Sequence, residues 1–141
     1  MRAIFDSIRK RPINIILMLL VAALYVINNK VLKLQTHGII REFFVCYFND
    51  LLCPYFFLSY ANLLLITCDR EMTSLKVLLM VSLTAGIVWE FAAPLMKKGS
   101  VTDLGDLLCY VISTVGYWGI LRLTKGAKTD ADSRQSGEII R

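Results

Sequence analysis

Four runs of apolar residues, separated by short polar stretches, dominate the chain. Each run is about 18 to 22 residues long, and they cover residues 13–31, 51–68, 75–96 and 104–123. A helix of that length, at about 1.5 Å per residue, crosses a hydrocarbon core of roughly 30 Å. The pattern therefore predicts an all-α protein: an integral membrane four-helix bundle in which each run is one span.

The polar positions around these runs refine the prediction. Residues 125–141 carry too little apolar surface to fold alone, so we expect a disordered tail after a single transmembrane domain of residues 1–124. Pro54 is expected in the first turn of the second span, where its missing N–H costs no hydrogen bond. The aromatic stretch just before that span, residues 43–48, is typical of an amphipathic segment at a membrane interface.

The composition agrees with a membrane protein. Hydrophobic residues make up 56% of the chain and the mean hydropathy is +0.57, both high for a soluble domain. The 16 Lys and Arg exceed the 11 Asp and Glu, but they form no basic stripe interleaved with aromatic residues, so nucleic acid is not a predicted partner. The predicted partner is the lipid bilayer, and the predicted location is the cell membrane, with several spans.

The basic residues also predict an orientation. If the chain crosses the membrane four times, one side carries 11 Lys and Arg and the other side carries five. The positive-inside rule then places both termini in the cytoplasm. Segments 28–50 and 97–103 would face outward.

This topology gathers acidic residues near the outer ends of three spans. Six residues form the candidate ligand-binding set: Glu90, Asp103, Asp106, Asp50, Asn49 and Tyr110. Glu90 is the most informative because it lies well inside an apolar run, where an ionised group needs a partner or water. Asp50, Asp103 and Asp106 have a second interpretation, as caps or first-turn residues favoured by the helix dipole.

Helical spacing places several polar residues of the fourth span on one face: Asp106, Tyr110, Ser113 and Tyr117. Small residues near this face favour close helix contact, namely Gly105, Cys109, Gly116 and Gly119. In the second span Tyr55, Ser59 and Asn62 form a similar line, which is more typical of interhelical hydrogen bonding than of a substrate path.

The acidic set has three interpretations: it holds a metal ion, it holds a proton, or it only caps helices. Carboxylate oxygens suit hard cations such as Mg²⁺ or Ca²⁺, so a divalent cation held by Glu90, Asp103 and Asp106 is the candidate cofactor. A zinc site is not expected, because the four cysteines form no CxxC pair and His37 is the single histidine.

Residues 89–116, reading WEFAAPLMKKGSVTDLGDLLCYVISTVG, resemble the VanZ-like and YjdF-like families of small multipass membrane proteins. Those families pair a glutamate near the end of one helix with aspartates that open the next, followed by a glycine. The matching positions here are Glu90, Asp103, Asp106 and Gly116. The resemblance implies a bacterial cell-envelope protein and raises the interest of the acidic set, but it names no reaction.

Three functions fit these observations. The first is an outward-facing acidic pocket that binds a cation or the cationic part of an envelope ligand. The second is a membrane hydrolase or transferase acting on lipid-linked envelope precursors through a metal-activated water. It ranks below binding because no serine elbow, zincin motif or phosphate-cradling glycine loop occurs. The third is a proton-coupled transporter, which with four helices would need a homo-oligomer.

Overall fold

The computed structural model describes the backbone of residues 12–96 and 104–138, and the side chains of residues 12–89 and 105–124. Within that part of the chain the fold is all-helical and contains no strand. The four helices are α1 (Pro12–Gln35), α2 (Gly38–Ile66), α3 (Leu75–Met96) and α4 (Leu104–Glu138). The all-α prediction is confirmed, and the bounds of α3 equal those of the third apolar run.

Helices α1 and α2 form a hairpin that is longer than the apolar runs predicted. Only Thr36 and His37 lie between them, and the chain turns at Gly38, whose φ of +62° suits a residue without a side chain. Each helix contains one π-helical turn, Asn28–Leu32 in α1 and Phe43–Tyr47 in α2. The predicted outer segment 28–50 is therefore almost entirely helical.

Pro54 lies inside α2 rather than in its first turn. The prediction was wrong because α2 begins at Gly38, well before the apolar run. Pro54 has no N–H to donate to the carbonyl of Asp50 one turn earlier. One backbone hydrogen bond of α2 is therefore missing at Asp50, a candidate site residue.

The helices pack in the order α1, α2, α4, α3, and α4 lies between α2 and α3. A buried apolar cluster joins all four and consists of Leu17, Leu58, Leu78, Tyr117 and Leu121. The chain leaves α2 through a turn at Thr67–Asp69 and an irregular segment, residues 70–74, before α3 begins. These contacts place the polar face of α4 against α2.

Three helical stretches are long and apolar enough to cross a membrane: Pro12–Gln35, Gly38–Ile66 and Gly105–Thr124. Within the residues whose side chains are described, α3 contributes a shorter apolar stretch, Leu75–Trp89. Helix α4 continues past the fourth apolar run to Glu138, through residues that composition predicts to be a disordered tail. That extension contains no proline to stop a helix. The domain boundary at residue 124, the crossing of the membrane by all four helices and the orientation stay predictions.

Candidate functional site

A buried hydrogen-bond network centred on Tyr117 connects α1, α2 and α4. The Tyr117 hydroxyl donates to Asn14 Oδ1 at 2.9 Å, and the Leu58 carbonyl is a second acceptor at 3.3 Å. Asn62 Nδ2 donates to the same hydroxyl at 2.9 Å. Asn14, Asn62 and Tyr117 are fully buried. The interhelical role predicted for Asn62 is confirmed.

Asn62 also holds the segment that leads into α3. Its Oδ1 accepts from the Met72 N–H at 2.7 Å, and its Nδ2 donates to the Met72 carbonyl at 3.1 Å. With the bond to Tyr117, these contacts use both amide hydrogens and the amide oxygen. One side chain therefore fixes the irregular segment to the core of the bundle.

The predicted polar face of α4 does contact α2. The Ser113 hydroxyl donates to the Leu51 carbonyl at 2.6 Å, and the Tyr110 hydroxyl lies 3.5 Å from Cys53 Sγ. Gly116 lies directly against the Tyr55 hydroxyl, so a methyl group there would collide with it. Close approach was also predicted at Gly119, but a methyl group there would meet no atom within 4 Å.

The two π-helical turns are joined by a buried asparagine. Asn28 Nδ2 donates to the Phe44 carbonyl at 3.0 Å and to Asn49 Oδ1 at 2.9 Å. π-Helical turns within α-helices often occur at functional sites. The Asn28 amide therefore orients the side chain of Asn49, one of the candidate site residues.

A cavity of about 650 Å³ opens on the side of the bundle. All four helices contribute to this side cavity, which is lined by Val21, Ala22, Tyr25, Val26, Asn49, Asp50, Leu52, Cys53, Phe56, Phe57, Tyr60, Trp89 and Tyr110. Most of the wall is apolar or aromatic. Asn49, Asp50 and Tyr110 form its polar end.

Three of the six candidate residues, Asn49, Asp50 and Tyr110, line this polar end. Asp106 lies one helical turn before Tyr110 on α4.

The remaining two candidate residues are Glu90 and Asp103. Glu90 belongs to α3 and directly follows Trp89, which lines the cavity, but its side chain lies outside the described residues. Asp103 also lies outside them. Among the residues that are described, no group of three or more His, Cys, Asp or Glu is placed to hold a metal ion. The proposed metal set stays a prediction, because the Glu90 side chain and Asp103 lie outside the described residues.

No protein-family model, curated protein or solved structure matches this chain. The resemblance of residues 89–116 to the VanZ-like and YjdF-like families therefore stays a prediction.

Sequence reasoning missed two polar residues of α1 that bond to other helices, Asn14 and Asn28, and both are fully buried. A signal was present, because they are 14 residues apart, an interval of four helical turns that places them on one face. Leu17 and Val21 lie on the same face and are buried too. Asparagine within an otherwise apolar helix is typical of interhelical contact.

Proposed function

We propose that this chain is a small multi-pass protein of the cell membrane that binds the cationic group of an envelope ligand at the polar end of the side cavity. The observation that carries the proposal is the position of Asn49, Asp50 and Tyr110 at one end of an otherwise apolar cavity. A site with a few polar groups in an apolar wall is the usual design of a ligand pocket. Its volume, about 650 Å³, is within the usual range.

The charge at the polar end favours a cation. Asp50 lines the polar end, and Asp106 lies one helical turn before Tyr110, so two carboxylates belong to this region. The low dielectric inside a helical bundle strengthens the attraction between a carboxylate and a cation. A cationic group is therefore the favoured ligand of the polar end.

The predicted topology places this end of the cavity at the outer face of the membrane. Asn49 and Asp50 belong to the outer half of α2 in that topology, and Glu90 and Asp103 are predicted at the same level. Glu90 and Asp103 are therefore included in the proposed site. The cation is either a metal such as Mg²⁺ or Ca²⁺ or an organic ammonium group.

Binding measurements on the purified protein in nanodiscs test the proposal. Isothermal calorimetry with Mg²⁺, with Ca²⁺ and with the ethanolammonium ion would identify the preferred cation. We expect Asp50→Asn and Asp106→Asn each to weaken binding of that cation about fivefold or more, the scale of one lost partly buried charge contact. Asp69→Asn is the matched control, because Asp69 lies in the turn at the other end of α2.

Equal affinity in the parent protein and in both site variants would refute the proposal. A loss of affinity in Asp69→Asn as large as that in Asp50→Asn would do the same, because it would show that net charge and not the cavity governs binding.

A further inference from the structure

The side cavity has the dimensions of one leaflet of a bilayer. Its lining on α2 runs from Asn49 at the polar end to Tyr60, eleven residues later. At about 1.5 Å per residue this is roughly 16 Å, about half of a hydrocarbon core of roughly 30 Å. A lipid whose headgroup lies beside Asn49 would therefore extend its acyl chain to the end of the cavity near the bilayer midplane.

The wall of the cavity suits an acyl chain. Phe56, Phe57 and Tyr60 follow α2 along the cavity, and Tyr25 and Trp89 approach from other helices. All five are exposed on the side of the bundle, with Tyr25 at 53% and Trp89 at 56%. The cavity is thus open laterally, in the direction from which a lipid would arrive, and the residues of α2 that line it between Cys53 and Phe57 are apolar.

We infer that the occupant of the side cavity is a membrane amphiphile whose headgroup carries an ammonium and a phosphate group, with one acyl chain lying along α2. The inference rests on the proposed function and adds the class of the ligand to it. A zwitterionic aminophospholipid is the simplest molecule with these features.

The polar end offers complementary partners to both groups of such a headgroup. The Asp50 carboxylate accepts hydrogen bonds from an ammonium. Asn49 Oδ1 already accepts from Asn28, so the Asn49 amide contributes N–H donors, which suit a phosphate oxygen. The headgroup is then held by an acceptor and a donor on adjacent residues of α2.

Trp89 makes the inference measurable. The chain has two tryptophans, so a Trp118→Phe background leaves Trp89 in the cavity wall as the single fluorophore. The protein is reconstituted into vesicles that contain phosphatidylcholine together with either phosphatidylethanolamine or phosphatidylglycerol, each with brominated acyl chains that quench tryptophan on contact. We expect the relative binding constant from quenching to favour the ethanolamine lipid about threefold, as for one partly exposed charge contact.

Three variants keep the result interpretable. Asp50→Asn should reduce the preference to about one, and Asp50→Glu, which keeps the charge, should retain most of it. Asp69→Asn should leave the preference unchanged. Circular dichroism of each variant shows that the helices are intact, so that a lost preference reports on the headgroup contact.

The outcomes separate this inference from the proposed function. If the soluble ethanolammonium ion binds with a dependence on Asp50 but the brominated lipids show no preference, the cation site stands and the lipid inference is overturned. A preference that survives in Asp50→Asn also overturns it, because the headgroup would not be held as argued. If Asp50→Asn changes neither measurement, the proposed function itself fails.

Discussion

The hydroxyl of Tyr117 and the side-chain oxygen of Asn14 are 2.9 Å apart, although 103 residues separate them in the chain. The bond joins the first helix to the last inside the bundle. Since Asn62 of α2 donates to the same hydroxyl, one oxygen atom connects three helices. The Tyr117 phenol therefore links α1, α2 and α4 inside the bundle.

Replacing Tyr117 by phenylalanine should destabilise the bundle by roughly 1–2 kcal/mol. The change keeps the ring but leaves Asn14 and Asn62 each without one buried partner, and buried groups that lose a partner cost about that much. The measurement is the midpoint of SDS-induced unfolding in mixed micelles, followed by circular dichroism. Tyr60→Phe is the control because Tyr60 is 47% exposed; equal midpoints for the two variants would contradict the central role of Tyr117.

Asn62→Ala should release the segment between α2 and α3. Both hydrogen bonds that fix the Met72 backbone would be lost, so residues 70–74 would become accessible to protease. We expect trypsin to cleave the detergent-solubilised protein after Arg70 several-fold faster than in the parent. Asn29→Ala, which removes a bond to the Tyr25 carbonyl within the same helix, should leave the cleavage rate unchanged.

Gly116→Ala should destabilise the contact between α2 and α4 by roughly 1–3 kcal/mol, the usual cost of overpacking. The added methyl group would collide with the Tyr55 hydroxyl, and it is close to the ring carbon that carries this hydroxyl, 3.1 Å away. Removing the hydroxyl with Tyr55→Phe should recover part of the loss in the double variant, again measured by SDS unfolding. Gly119→Ala, with open space around it, should unfold at or slightly above the parent midpoint, because alanine favours a helix more than glycine does.

The predicted orientation places the turn at His37 outside the cell and the turn at Cys68 in the cytoplasm. In a background in which the other cysteines are replaced by serine, a single cysteine at position 37 should react with a membrane-impermeant maleimide on intact cells. Cys68 alone, which is exposed in the structure, should react only after the membrane is permeabilised. The reverse pattern would show that the termini face outward and would move the cavity to the cytoplasmic leaflet.

The pattern of apolar and polar residues predicted the helices well, because a helix in a bundle keeps its apolar and polar residues on constant faces along its length. It predicted the polar face of α4 for the same reason, and Ser113 and Tyr117 do bond to other helices. It could not predict that α1 and α2 continue through residues 28–50. Those residues are polar enough to look like a loop, and their helical state depends on tertiary contacts such as Asn28 to Phe44.

Sequence reasoning proposed residues for the candidate site but not its shape. The predicted topology puts Glu90, Asp103 and Asp106 at one level with Asp50, and their meeting stays a prediction. The apolar cavity beside them was not foreseen. Its wall includes Tyr25 and Phe57, which are ordinary apolar positions in the sequence and become a cavity only through the way four helices are spaced.

The π-helical turn Phe43–Tyr47 gives α2 one residue more than an α-helical turn would hold. Deleting a single residue there would restore regular winding and leave Asp50 facing the same direction. Deleting one between Asp50 and Asn62 would instead rotate the two positions by about 100° relative to each other. A one-residue deletion within Phe43–Tyr47 therefore preserves the orientation of the residues that line the cavity, whereas a deletion between Asp50 and Asn62 does not.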